Sequence, residues 1–169
     1  MRPIENTVTG GCQCGAVRYR ATAMLDNAHV CHCRMCQKAG GNLFAALVAA
    51  PNDALTFTRG KPGVFRSSAH VERGFCAQCG TPLFFRDTTA GRTNLMMGSL
   101  DYPAAFPALS EMGMESRIAW LPDWPDIPSE GTTGTSGPPG WAAAIRTSNR
   151  QHPDHDTADW PPPASPAPG

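Results

Sequence analysis

The stretch Cys31-His32-Cys33-Arg34-Met35-Cys36 (CHCRMC, residues 31–36) sets three thiols and an imidazole side by side. Three readings are open to it: a redox cluster, a closed zinc knuckle, or a metal site with one position left for a substrate. Two further cysteine groups bear on the choice, Cys12 and Cys14 in GGCQCGAV and Cys76 and Cys79 in GFCAQCGTP. The total of seven is odd, which argues against a simple set of disulfides. The start, MRPIENTVTGG, lacks the apolar centre of a secretory signal, and no apolar run approaches the ~20 residues needed to cross a bilayer. The expected location is therefore cytoplasmic, with no membrane partner. In that reducing compartment clustered cysteines read as metal ligands or reactive groups.

The spacing divides the seven. In an extended segment residues i and i+2 project to the same face, so Cys12 and Cys14 can present two thiolates to one ion. Cys76-x-x-Cys79 followed by Gly80 is a knuckle in which the backbone turns tightly and glycine accepts the required conformation. Together the pairs complete a tetrahedral four-thiolate zinc site that ties the first strand to a distant hairpin. Structural zinc contributes an apparent ~10–16 kcal/mol to folding in small domains, as much as or more than the net stability of most of them. Cys31, Cys33 and Cys36 remain, three thiolates with no evident fourth protein ligand. That is the arrangement of a catalytic zinc with an open position. A closed site completed by His32 or a distant histidine, and a thiol redox switch, stay as alternatives. His32 is the weaker candidate for a ligand because it points to the opposite face of an extended segment.

Around these groups the chain reads as short strands. AVRYRATA and ALTFTRG alternate apolar and polar positions, NLFAALVAA is a buried run before a proline, and VFRSS, TPLFFRD and TNLMMGSL continue the pattern. Helical spacing is weak except around Arg34–Ala39 and Asp101–Ala105. The expected class is mostly β, a pair of packed antiparallel sheets stapled by zinc. The methionines at 96, 97, 112 and 114 are expected to pack the sheet core, and Trp120 and Trp124 to cover one end of it.

Residues 1–128 thus form one zinc-binding β domain, and residues 129–169 change to Gly, Pro, Ser and Thr. SEGTTGTSGPPG and NRQHPDHDTADWPPPASPAPG offer few aliphatic residues for a core, so this tail reads as disordered, with one short helix after Trp141 and a docking role for Trp160 as its structured options. A formal net charge of zero and the absence of Lys/Arg runs give no electrostatic footprint for nucleic acid.

Taken together, GGCQCGAVRY, CHCRMCQKAGG and RGFCAQCGTPLF, followed by GSLD and ESRIAWL, closely resemble the glutathione-dependent formaldehyde-activating enzyme family, which includes relatives of centromere protein V. The resemblance covers about residues 8–128. It implies a β-tent fold and two zinc ions per chain, a structural one on Cys12, Cys14, Cys76 and Cys79 and a catalytic one on Cys31, Cys33 and Cys36. It also implies zinc-dependent addition of glutathione to formaldehyde, giving S-hydroxymethylglutathione, a reaction of the carbon–sulfur lyase class. The substrates would be glutathione and a small aldehyde. The chain departs from the family pattern in SEMGMESRIAW, where Glu111 takes the place of a histidine.

Formaldehyde offers little to recognise, so binding would rest on the tripeptide, with its two carboxylates. Arg34 and Lys38 are the candidate partners for them, and Arg73 precedes the second knuckle. Each of the three has a solvated surface cation as its alternative reading. His32 is read as a structural or solvent-facing imidazole, with proton transfer as its alternative. Three thiolates also leave the second site with net negative charge. A non-catalytic module that binds glutathione, a glutathione adduct or a protein partner is therefore the rival function.

Overall fold

Tyr19 and Ala21 are fully buried while Arg20 between them is exposed, the period of two that makes a strand of this segment. The computed structural model describes residues 3–4, 6–132 and 137–159. Its strands are β1 (Pro3–Ile4), β2 (Val8–Gly11), β3 (Arg18–Ala21), β4 (Met24–Leu25), β5 (His29–Cys31), β6 (Ala45–Pro51), β7 (Leu55–Arg59), β8 (Gly63–Arg66), β9 (Val71–Phe75), β10 (Pro82–Asp87), β11 (Arg92–Met96) and β12 (Ser110–Met112). Two α-helices accompany them, α1 (Arg34–Gly40) and α2 (Trp141–Ser148). The protein is mostly β, as the strand pattern predicts.

The largest sheet runs β12-β5-β6-β11-β10-β9-β8, a second runs β2-β3-β7, and β1 pairs with β4. β6 lies inside the large sheet, and Val48, Ala49 and Ala50 are fully buried on both of its faces, which explains its unbroken apolar run. The core lies between the two larger sheets. Phe57 meets Tyr19 edge to face and Phe84 at a tilt there, with centroids 6.2 Å apart in both pairs, and the Tyr19 hydroxyl bonds Ser99 Oγ at 2.7 Å. Gly10 is required at this point because a Cβ would collide with the Tyr19 hydroxyl and the Ser99 carbonyl.

The expectation of antiparallel pairing needs one correction. β12 runs parallel to β5, pairing Ser110 with His29, Glu111 with Val30 and Met112 with Cys31. No tight turn joins these segments, so nothing local imposes the antiparallel direction. As an edge strand, β12 leaves Met112 49% exposed, and Met114 beyond it is 46% exposed, so these two do not pack the core. Met96 and Met97 are partly buried against it. Trp120 and Trp124 stay half-exposed, with Trp124 tilted against Phe44 at 6.3 Å.

The stretch read as a tail carries the short helix and makes contacts with the domain. α2 forms after Trp141, and residues 151–157 lie on the domain. The His152 amide donates to the Gln13 carbonyl at 2.7 Å, and Asp156 accepts from Arg18 at 2.9 and 3.1 Å. His152 is 7% exposed. Composition misses this because the partners, Arg18 and Arg59, lie far back in the chain. Residues 133–136 and 160–169, Trp160 included, lie outside the described residues. Among the described residues no helix is long and apolar enough to cross a membrane.

Candidate metal centres and an adjoining cavity

Two groups of cysteine sulfurs converge, Cys12 with Cys14, Cys76 and Cys79, and Cys31 with Cys33 and Cys36; within each group the sulfurs lie within 4.8 Å of one another. This is the division the spacing predicts.

In the first group the pair Cys12/Cys14 is set by a turn rather than by the extended pleat expected. β2 ends at Gly11, the Gly15 amide bonds the Cys12 carbonyl at 3.0 Å, and Gly15 takes a φ of 78°. The second pair sits on the expected knuckle, with the Gly80 amide on the Cys76 carbonyl at 2.9 Å and a φ of 78° at Gly80. Backbone amides point at the sulfurs: Val17 N–H donates to Cys12 Sγ at 3.2 Å and Gln78 N–H to Cys76 Sγ at 3.4 Å. Cys12 and Cys14 sulfurs are 3.5 Å apart, and Cys14 and Cys76 sulfurs 3.8 Å. A tetrahedron with Zn–S of about 2.3 Å has edges of ~3.8 Å, so the donor set fits a four-coordinate ion. Burial pushes the Cys14 thiol up to about 12. The Cys79 thiol falls to about 6, because hydrogen bonds from the Thr81 hydroxyl and amide outweigh its burial.

The second group is built differently. Cys31 ends β5, Cys33 is the N-cap of α1, and Cys36 lies in the first turn of that helix. Cys33 Sγ accepts the Cys36 amide at 3.4 Å. Burial raises Cys31 to about 12, while at Cys33 the amides and neighbouring thiols outweigh burial and lower it. No histidine or carboxylate among the described residues joins the three sulfurs. His32 turns away, 1% exposed, with Nε2 3.4 Å from the Glu111 carboxylate and its ring edge-on to Phe44 at 5.7 Å. It is a packed imidazole rather than a fourth ligand.

Residues that the sequence did not single out hold this trio in place. Gln37 is buried and donates to the carbonyls of His32 at 2.8 Å and Ser116 at 2.9 Å. Gly113, with a φ of 70°, packs directly on Cys33; a Cβ there would stand 2.5 Å from the Cys33 amide nitrogen. Glu111, which the sequence did single out, approaches Arg117 at 3.7 Å.

A cavity of about 760 Å³ opens beside Cys36. Its wall includes Arg34 and Lys38 from α1, Arg73 from β9, and Phe65, Phe75 and Met96. Among the described residues no carboxylate lines it. The three cations proposed from sequence therefore face one space, and Arg73 Nη2 comes within 3.7 Å of Cys36 Sγ.

These features define a β-sheet domain with two cysteine clusters that could each hold a metal ion, one with four thiols and one with three. The sequence model of the glutathione-dependent formaldehyde-activating enzyme family matches residues 7–115, well over half of the chain, and the protein belongs to that family. A Phaeosphaeria nodorum protein provisionally named as such an enzyme is 34% identical over 97 residues, covering 49% of this chain and 51% of its own length. A Penicillium rubens protein with the same provisional name is 33% identical over 91 residues, 50% of this chain and 48% of its own. The chain thus spans about half the length of these curated relatives. A crystal structure of a Rhodobacter sphaeroides protein shares the fold, with a TM-score of 0.52 and 21% identity, covering 62% of this chain and 99% of that one.

Proposed function

We propose that the four-thiol centre holds a structural zinc ion, that the three-thiol centre holds a catalytic one, and that the protein joins glutathione to formaldehyde to give S-hydroxymethylglutathione, a carbon–sulfur lyase activity. The observation that supports this most directly is a three-thiol donor set with no fourth protein ligand among the described residues, placed at the wall of a cation-lined cavity. When bound there, zinc supplies a Lewis acid that favours the ionised form of an entering thiol.

The chain's own residues do the rest. Cys31, Cys33 and Cys36 are held by the end of β5 and the first turn of α1, so the donor set is assembled before substrate arrives. Arg34 and Lys38 line the cavity where they can receive the carboxylates of the tripeptide. The thiolate sulfur then attacks the formaldehyde carbon, a C–S bond forms, the carbonyl π pair moves to oxygen, and that oxygen takes up a proton. The cysteine-rich chain, kept reduced, suits a cytoplasmic location.

A second reading, a carrier that binds glutathione or its adduct without turnover, is favoured by one local feature. A carboxylate, Glu111, stands beside His32, the residue between Cys31 and Cys33, in addition to the negative charge of three thiolates. Carbon-13 formaldehyde and glutathione, followed by NMR exchange spectroscopy, separate the two. The enzyme reading expects exchange between free and adducted formaldehyde faster than the spontaneous rate, and its loss in Cys33→Ser. Exchange at the spontaneous rate with retained glutathione binding would establish the carrier.

A further inference from the structure

Arg73 is the cation the proposed function leaves without work. It sits in the middle of β9, paired across the sheet with Phe65 on β8 and Phe85 on β10, so the three side chains form one row on one face. Its guanidinium lies over the Phe85 ring at 5.1 Å from the centroid, and Phe65, 61% exposed, lines the cavity with it. Phe85 in turn packs against the cluster that contains Cys31, Cys36 and Cys33. Stacking on an aromatic face fixes the plane and direction of an arginine that would otherwise sample many rotamers. Here it directs Nη2 to within 3.7 Å of Cys36 Sγ.

Among the described residues no carboxylate lies within ion-pair distance of Arg73. The two neighbouring arginines differ from it, since Arg66 and Arg86 share Glu72 at 3.8 and 3.9 Å. One donor nitrogen of Arg73 faces the Cys36 thiol, and the residue lines a cavity with two more cations and, among the described residues, no acid. A planar, half-buried fork of this kind is suited to a carboxylate, which it can hold with two parallel hydrogen bonds.

We propose that Arg73 is the positioning residue of the three-thiol centre: it grips a carboxylate of the thiol substrate between the Phe65 and Phe85 rings and so restricts the site to small anionic thiols. Arg34 and Lys38 line the same cavity but are exposed, and Arg34 donates to Gln37 Oε1 at 3.2 Å, so they add attraction rather than a buried grip. The inference deepens the proposed function and rests on it, because it takes the trio to be the place where a thiol enters.

The test uses the full chain with cobalt at the metal centres, whose visible spectrum reports thiol entry independently of turnover. Glutathione and its diethyl ester, in which both carboxylates are masked, are titrated into the wild type, Arg73→Gln and Arg73→Lys. The expected result is a wild-type preference for glutathione of tenfold or more. Arg73→Gln should bring the two thiols to within about threefold by weakening glutathione alone, and Arg73→Lys should restore the charge preference only in part. Unchanged metal content and melting temperature in both variants exclude a merely structural effect. Equal weakening of both thiols, or an undiminished preference in Arg73→Gln, overturns the role of Arg73 while leaving the trio as the thiol site. If neither thiol alters the wild-type spectrum, the inference falls together with the proposed function.

Discussion

The two cysteine centres use the same atom type and a similar packing of sulfurs, and they differ in what surrounds them. The four-thiol centre joins two turns that are far apart in the chain, Cys14 and Cys76 being separated by 62 positions. Amides point at its sulfurs, Thr81 bonds Cys79, and a cavity of about 460 Å³ beside Cys12 and Cys79 is lined in part by residues 151–154. The three-thiol centre takes all its sulfurs from one short stretch, Cys31 to Cys36, and borders the larger cavity, of about 760 Å³, on whose wall Arg34, Lys38 and Arg73 stand. A centre that links distant segments stabilises the fold; a centre built from one local segment leaves the fold to other contacts. The difference in connectivity therefore predicts a difference in what each centre does.

The sharpest way to break this comparison is to remove one thiol from each. Cys76→Ser should cost a large share of the apparent ~10–16 kcal/mol of a structural zinc and leave little folded protein, read as soluble yield and near-ultraviolet circular dichroism. Cys33→Ser should keep the fold and lose one metal ion. Comparable unfolding by both would make the trio a second staple.

The support beneath the four-thiol centre comes next in size. Arg18 is 3% exposed and is held by Asp101 and Asp156. Asp101→Ala removes one partner of a buried pair and should cost about 3 kcal/mol, seen in thermal melts, without changing thiol binding at the trio. Burial alone would raise the Asp101 carboxyl, but the Arg18 guanidinium and the Thr9 hydroxyl outweigh it and hold it below its ordinary value of 3.8. Stability from this group is therefore complete above that value and is lost as pH falls through the lower folded value. Acid titration of the wild type should show this loss, and Asp101→Asn should flatten it.

Each centre also has a left-handed glycine, and the two should respond differently. Gly80 faces open space, so Gly80→Ala should add only the backbone strain, ~1 kcal/mol. Gly113 adds a collision with the Cys33 backbone, so Gly113→Ala should cost about 2–4 kcal/mol and weaken metal at the trio specifically. Metal content after dialysis checks both. A similarly small effect belongs to the tail: ending the chain at Ser148 removes the His152 and Asp156 contacts and should cost about 1–2 kcal/mol, with faster chelation of metal from the four-thiol centre only.

The cysteine grouping and most strands were legible because they depend on local pattern: TPLFFRD became Pro82–Asp87 and ALTFTRG became Leu55–Arg59. β9 was not recognised, since VERGF has charges and a glycine inside it, and Gly74 is there to let the Phe84 ring cross the strand. Without β9, the direction of Arg73 could not be read either. β12 and the seat of His152 depend on partners far along the chain, which no local periodicity encodes. The family departure at Glu111 was visible as a letter, whereas its contact with His32 required the parallel pairing of β12 with β5.

The central claim, one closed centre and one open to thiol, is tested most directly by the visible spectrum of the cobalt-substituted full chain as glutathione is added. The account predicts two cobalt ions per chain, with half of the thiolate–cobalt absorption shifting at millimolar glutathione and half unchanged. A spectrum indifferent to glutathione, or one in which both halves shift together, would contradict it.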